Sequence, residues 1–154
     1  MYNDSMSKSK VANRSTGNLG ESIAAKYLKQ RGFVILERNY LKKWGEIDIV
    51  ARETVKGESE KSFSRETSEI IHFVEVKSVS YETKSQLDWD VAHETWRPEE
   101  QVHAFKLNQI RKAAESWILE NDWAGEVQID VIAVRMVPRE KYAKVKYIPN
   151  VISE

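Results

Sequence analysis

Residues 70–79, IIHFVEVKSV, decide the fold. The run is apolar enough for a buried β-strand, yet Glu75 and Lys77 sit in its middle. Charged side chains are rarely buried unless they are paired or bind a metal. Alternate residues of a strand share a face. Glu75 and Lys77 therefore point the same way, about 7 Å apart by strand rise, while Val74 and Val76 point the other way and can enter a core.

Working upstream, EIDIVA (46–51) is a second strand of period two, with Ile47, Ile49 and Ala51 alternating with Glu46, Asp48 and Val50. The polar, aperiodic residues 53–69 read as a long, mobile hairpin insert between the two strands. Such a hairpin lays the strands side by side, and a twisted or diverging pair brings Asp48 toward Glu75. Two carboxylates meeting at a sheet edge make the hard, oxygen-rich site that Mg²⁺ prefers, with Mn²⁺ able to substitute. The backbone carbonyl of Val76 can supply a third oxygen. Lys77 beside them can orient an attacking water and offset negative charge on a phosphoryl transition state. An aspartate, a spacer and Glu-x-Lys thus form a minimal set for metal-assisted phosphodiester hydrolysis.

The rest of the chain frames these strands. Residues 1–16 are polar and Ser/Lys-rich and read as a flexible tail, leaving 17–154 as one domain. In NLGESIAAKYLKQRG, Ile23, Ala24, Tyr27 and Leu28 share one helical face. Asn18 can cap that helix with Glu21 at N3, and Gly32 suits its end. FVILERNY (33–40) is a further strand. Residues 80–98 lack a clear period and read as irregular. A helix then begins near or after Glu99, its buried stripe being Ile110, Ala113, Ala114, Trp117 and Ile118. EVQIDVIAV (126–134) and KVKYIPNVI (144–152) are the closing strands. This order suggests an α/β or α+β sheet with helices on its faces.

Composition narrows the classes. Among 154 residues, 41% are hydrophobic and 31% charged, as in a globular protein rather than a disordered or fibrous one. There is no cysteine, which excludes disulfides and thiolate metal sites and suits a reducing cytoplasm. No apolar run reaches the length of a membrane span, and MYNDSMSKSK lacks a signal-peptide core. Lys+Arg and Asp+Glu both total 24, so any polyanion must be held by local patches.

Plainer readings exist for each residue. A lone Glu-x-Lys is commonly a solvent-facing ion pair, and Glu21 can be only a capping partner. His72, His93 and His103 show no ligand spacing. Asp130 reads as a sheet-edge residue. Lys106, Arg111 and Lys112 form either a solvated helix face or, for Lys106 and Arg111, nucleic-acid contacts. Trp89 and Trp96 can stack on bases or bury against the sheet.

Five segments in order carry a resemblance: Gly17, Gly20, Glu21 and Ala24 in GNLGESIA; RGFVILERNY; GEIDIVA; HFVEVKS; and RPEEQVHAFKLNQIRKAA. Together they resemble the YraN-like family of small bacterial proteins, from about Gly17 to about Val134. That family is similar to the restriction-endonuclease-like, PD-(D/E)xK superfamily and its Holliday junction resolvases. The resemblance implies a mixed central sheet flanked by helices, with Asp48, Glu75 and Lys77 in the acidic and lysine positions. It also implies Glu21 as an auxiliary metal-site carboxylate and Lys106 as a phosphate contact. Two departures stand out. Val79 replaces a basic residue two positions after the motif lysine, and Gly45-Glu46-Ile47-Asp48 replaces Pro-Asp. The expectation is a cytoplasmic, Mg²⁺-dependent nuclease acting on DNA, branched or damaged, and compatible with a homodimer. The rivals are an inactive nucleic-acid-binding module on the same fold, and a protein-interaction domain using the Trp-rich 85–97 segment.

Overall fold

The computed structural model describes the backbone of residues 4–56, 67–102 and 104–152, and side chains from Ser15 onward apart from Glu99 and Gln101. Helix α1 (Asp4–Gln30) leads into β1 (Val34–Lys42), β2 (Gly45–Lys56) and β3 (Thr67–Ser80). Helices α2 (Lys84–His93) and α3 (Ala104–Glu120) follow, with a 3₁₀ turn at Pro98–Gln101 between them. Strands β4 (Glu126–Val137) and β5 (Tyr142–Ile148) close the chain.

The five strands form one sheet in sequence order, β1-β2-β3-β4-β5. Every neighbouring pair is antiparallel except β3–β4, which is parallel. A parallel pair needs a long crossover, and α2 and α3 provide it. The result is the expected single-domain α/β fold, a mixed sheet flanked by helices and consistent with a restriction-endonuclease-like architecture.

Two cores hold the layers together. On one face Ala24, Ala25 and Leu28 of α1 pack on Ile49, Ala51, Val74, Ile132, Val134 and Met136. On the other, Ile110, Ala113, Ala114 and Trp117 of α3 pack on Ile47, Val50, Ile71, Phe73 and Ile129. Phe73 and Trp117 meet edge-on, centroids 5.7 Å apart, a geometry that aromatic quadrupoles favour. Covered on both faces, β4 has an almost continuous buried run from Ile129 to Val137, as internal strands of parallel pairs do.

Several expectations are corrected. The backbone of residues 4–16 is helical rather than a loose tail, because nothing between Asp4 and Thr16 is a Gly or Pro that would stop α1 from propagating upstream. Asn18 is consequently interior to α1 and caps nothing, so Glu21 is not an N3 capping partner. The helix does end at Gly32 (φ 88°). There Phe33 N–H donates to the Leu28 carbonyl at 3.0 Å and Gly32 N–H to Lys29 at 3.1 Å, a Schellman closure. Strand pairing runs out to Lys56↔Thr67 and so absorbs both ends of the 53–69 insert; residues 57–66 lie outside the described residues.

The 80–98 segment contains α2, capped by the Thr83 side chain accepting from Gln86 N–H. Its inner face is only Leu87 and Asp90, too few apolar residues to make a stripe. The long helix starts at Ala104, after the 3₁₀ turn. The last strand is Tyr142–Ile148, and it stops where Pro149 removes a donor and Asn150 adopts a left-handed φ of 51°.

Candidate active site

The site lies where β2 and β3 separate. Strand β2 pairs with β3 only from Ile49↔Val74 toward Lys56↔Thr67. Its first residues pair with β1 alone, Gly45↔Lys42, Glu46↔Leu41 and Ile47↔Tyr40. The period-two reading of β2 breaks at Asp48: Ile47 belongs to the α3-side core and Ile49 to the α1-side core. Gly45 lets the chain turn this way. A Cβ there would stand 2.9 Å from the backbone carbonyl carbon of Gln109 in α3 and closer still to its oxygen.

In the opening, the Asp48 carboxylate accepts the Val76 N–H at 2.7 Å in place of a ladder partner. Both backbone groups of a strand residue point toward the same neighbour. The Val76 carbonyl is therefore aimed into the same opening as the carboxylate it helps to hold.

Glu75 and Lys77 share the α3 face, as their spacing requires. Glu75 is 5% exposed. Its Oε1 is flanked by two ammonium groups, Lys77 Nζ at 3.5 Å and Lys106 Nζ of α3 at 3.6 Å. Both lysines retain solvent contact, 24% and 36% of their side chains, so the cluster opens outward.

Glu21 reaches the seam from the opposite layer. Gly20 is the reason α1 comes close enough: a Cβ there would lie 2.7 Å from the Ser78 Cβ and closer still to its Oγ. Glu21 Oε2 is buried without a hydrogen-bond partner, its nearest cation being Arg38 at 3.9 Å. Burial raises the Glu21 pKa; a hydrogen bond from Asn39 and the Arg38 charge oppose this, while Glu46 and Glu75 add to it.

The strongest shift is at Asp48. Burial and then the charge of Glu75 push its pKa up to about 8. The Val76 N–H pulls it down, and Glu21 and Glu46 push it further up. Four carboxylates thus feel one another across the seam, a concentration of negative charge that a cation would relieve. Among the described residues, no three His, Asp or Glu side chains are gathered closely enough to hold a metal by themselves. The donor set that fits Mg²⁺ is smaller: Asp48, Glu75 and the Val76 carbonyl, with water and substrate oxygens completing the shell, as this ion ordinarily accepts.

The structure thus brings together Asp48, Glu75, Val76, Lys77 and Lys106, with Glu21 behind them. It does not bring in Arg111, which lines another groove beside Glu115 and Gln128. Trp89 is 58% exposed and stacks on His93 at 4.0 Å. Trp96 lies under the Arg135 guanidinium. His103 lies outside the described residues.

Asp130 is not at a sheet edge but fully buried. It takes hydrogen bonds from Tyr147 (2.6 Å), Gln128 (2.7 Å) and the Asn150 N–H (2.8 Å), and pairs with His72 at 2.6 Å. His72 also pairs with Glu53 at 2.7 Å. Burial would lower the His72 pKa, but hydrogen bonds and charge from Asp130 and Glu53 outweigh it and raise it. Burial would raise that of Asp130, but its hydrogen bonds lower it.

Sequence reasoning missed Arg38, Asn39 and Glu46. A signal for the first two existed. The two-residue turn Lys43–Trp44 fixes the β1–β2 register, and counting back from Lys42↔Gly45 puts Asn39 opposite Asp48.

A family model described as "Uncharacterised protein family UPF0102" matches residues 20–134, a span that holds every residue of this site. The chain belongs to the UPF0102 family. It is similar to a UPF0102 protein of Dictyoglomus turgidum, 34% identical over 139 residues, covering 90% of this chain and 97% of the relative. A UPF0102 protein of Campylobacter jejuni is 36% identical over 119 residues, 77% and 82% of the two chains. One of Pelobacter propionicus is 38% identical over 123 residues, 79% and 71%. Among the described residues, no helix is long and apolar enough to cross a membrane.

Proposed function

We propose that this protein is a divalent-metal-dependent, endonuclease-like hydrolase of DNA phosphodiesters, built on the PD-(D/E)xK plan and directed at branched or damaged DNA. One observation carries the reading: two carboxylates from adjacent strands, Asp48 and Glu75, converge at an opening in the sheet with Lys77 beside them. Asp48, Glu75 and the Val76 carbonyl would hold Mg²⁺, or Mn²⁺ in its place. When bound there, the ion would supply positive charge to the scissile phosphate and to the attacking water. Lys77, leaving Glu75, would orient that water toward phosphorus. Lys106, on the solvent side of the same carboxylate, would meet a nonbridging phosphate oxygen. Glu21 would act as an auxiliary carboxylate, its unpartnered Oε2 able to accept a hydrogen bond from a water at the site.

The test is cleavage of linear, nicked and four-way DNA with and without Mg²⁺, comparing wild type with Glu75→Ala and Lys77→Ala. The expected result is metal-dependent cutting by wild type and none by either variant. Equal cutting by all three proteins would remove the mechanism. A second reading, an inactive nucleic-acid-binding module, is favoured by the fact that the Lys77 and Lys106 ammonium groups already offset the Glu75 charge without a metal ion. Calorimetric titration with Mg²⁺ separates the two, since absence of binding supports the module.

A further inference from the structure

A pocket of about 430 Å³ opens between the end of α2, the 3₁₀ turn and the edge strand β5. Strand register shows how it relates to the candidate active site. Lys77 pairs with Ala133 and Val79 with Arg135 across β3–β4. Ala133 pairs with Lys146 and Arg135 with Lys144 across β4–β5. Paired residues share a sheet face. Glu75, Lys77, Arg135, Lys144 and Lys146 therefore all lie on the α3 face. At about 4.8 Å per strand, the Lys146 backbone is roughly 10 Å from that of Lys77. Ala133 between them is buried, so the pocket is a second concavity rather than an extension of the first.

The charges in the pocket are not equivalent. Glu94 and Glu100 are held by Arg97 at 3.6 and 3.2 Å. Arg135 forms the floor. It donates to the Trp96 carbonyl at 3.0 Å, lies 5.0 Å from the Trp96 ring centroid and pairs with Asp90 at 3.7 Å, yet its buried Nε has no hydrogen-bond partner. Asp90 is itself fixed by the Trp96 N–H at 3.0 Å and by the Thr95 hydroxyl. Above this rigid floor, Lys144 and Lys146 are exposed and have no ion-pair partner among the described residues. Arg97 faces two carboxylates and Asp90 balances Arg135, so the pocket keeps a net excess of one cation, carried on β5 by Lys144 and Lys146.

We propose that this pocket is a phosphate-backbone subsite, with Lys144 and Lys146 contacting nucleic-acid phosphates away from the reacting position. The positive charge it offers comes from β5 alone, since Arg135 of β4 is buried against Asp90. The inference rests on the proposed nucleic-acid function. It adds a binding element that lies outside the family-matched residues 20–134 in its two lysines.

The experiment is fluorescence anisotropy of labelled duplex and four-way DNA in EDTA across a salt series. Wild type is compared with Lys144→Ala/Lys146→Ala, with Lys144→Glu/Lys146→Glu, and with Lys26→Glu/Lys29→Glu. The last pair has the same net charge change on exposed positions of α1, on the other side of the sheet. Loss of two phosphate contacts should reduce the slope of log K against log salt by about 2. The β5 charge reversal should weaken binding about tenfold or more, with the α1 control changing it by less than about threefold. Equal losses in the two charge-reversal variants, or an unchanged slope in the alanine variant, would overturn the subsite. Wild type that binds no DNA in this series overturns the subsite, and one that in addition neither binds nor cuts DNA in Mg²⁺ overturns the proposed function as well. DNA binding that depends on Lys144 and Lys146, without cleavage in Mg²⁺, supports the subsite and overturns only the hydrolytic reading. An acidic partner is tested by competition: polyglutamate displacing wild type as well as DNA does would overturn the nucleic-acid assignment.

Discussion

Two glycines one turn apart in α1 should respond to alanine with opposite signs. In a helix interior Gly→Ala gains about 1 kcal/mol from backbone entropy. At Gly17 a Cβ meets nothing within 4 Å, so Gly17→Ala should realise roughly 0.5–1 kcal/mol. At Gly20 the new methyl would stand 2.7 Å from the Ser78 Cβ on a central strand. Overpacking of this kind costs about 1–3 kcal/mol, and contact with a central strand favours the upper part of that range. The net for Gly20→Ala is a loss of about 1–2 kcal/mol. At about 2–4 °C per kcal/mol for a domain of this size, Tm should rise about 1–4 °C for the first variant and fall about 2–8 °C for the second. Urea unfolding followed by circular dichroism measures both. Ser78→Gly in the Gly20→Ala background removes the obstructing atoms, so the double mutant should be less destabilised than the sum of its singles by about 1 kcal/mol. Identical shifts at Gly17 and Gly20, or strict additivity with Ser78→Gly, would show that α1 does not approach β3 as described.

Other expectations concern titrating and paired groups. His72→Ala breaks a buried pair and should cost about 3–5 kcal/mol. In wild type, the stability due to the raised His72 is complete below its ordinary 6.5 and is lost as pH rises through its higher folded value. That due to the lowered Asp130 is complete above 3.8 and is lost as pH falls through its lower folded value. The raised Asp48 and Glu21 carboxyls add a loss of stability of their own as pH rises above their ordinary values, in wild type and variant alike. The His72 contribution is therefore read as the difference in unfolding midpoint between wild type and His72→Ala, which should shrink as pH rises above 6.5; a difference that does not change with pH would exclude His72 as a source of the decline. With Asp48 near 8, Mg²⁺ binding at pH 7 should release about 0.9 proton, and almost none at pH 9.5. Calorimetry in buffers of different ionisation heat counts these protons, and none at pH 7 would contradict the Asp48 assignment. Lys77→Met and Lys106→Met each leave one ammonium on Glu75, so the double variant should lose about 1 kcal/mol more than the sum, by denaturant titration.

Much of this was legible in the sequence, for reasons particular residues make clear. Glu75 and Lys77 needed only the two-residue period of β3, and the α3 stripe needed only helical spacing. Gly32 ends α1 because its φ is open to glycine. What escaped depended on contacts between distant segments. Helix α2 buries an aspartate, and Asp90 can be internal because the Thr95 hydroxyl and the Trp96 N–H donate to it and Arg135, forty-five positions later, faces it. Asn18 and Glu21 look like a cap, but a cap requires the preceding chain to leave the helix, and here it continues. Ile47 and Ile49 match in sequence parity but not in face, since the divergence at Asp48 is set by α3 pressing on Gly45. The same divergence opens the candidate site, so the local pattern fails at the place where the carboxylates gather.

Strands β2 and β3 run together away from the candidate site. From Asp48 to Lys56 the strand climbs roughly 26 Å, and Lys56 and Thr67 face each other at the distant rim. The last described pair of this ladder therefore stands at the opposite end of the strands from the Asp48 and Glu75 carboxylates. A fluorescent reporter attached at Lys56 or Thr67 would thus be anchored about 26 Å from the candidate site.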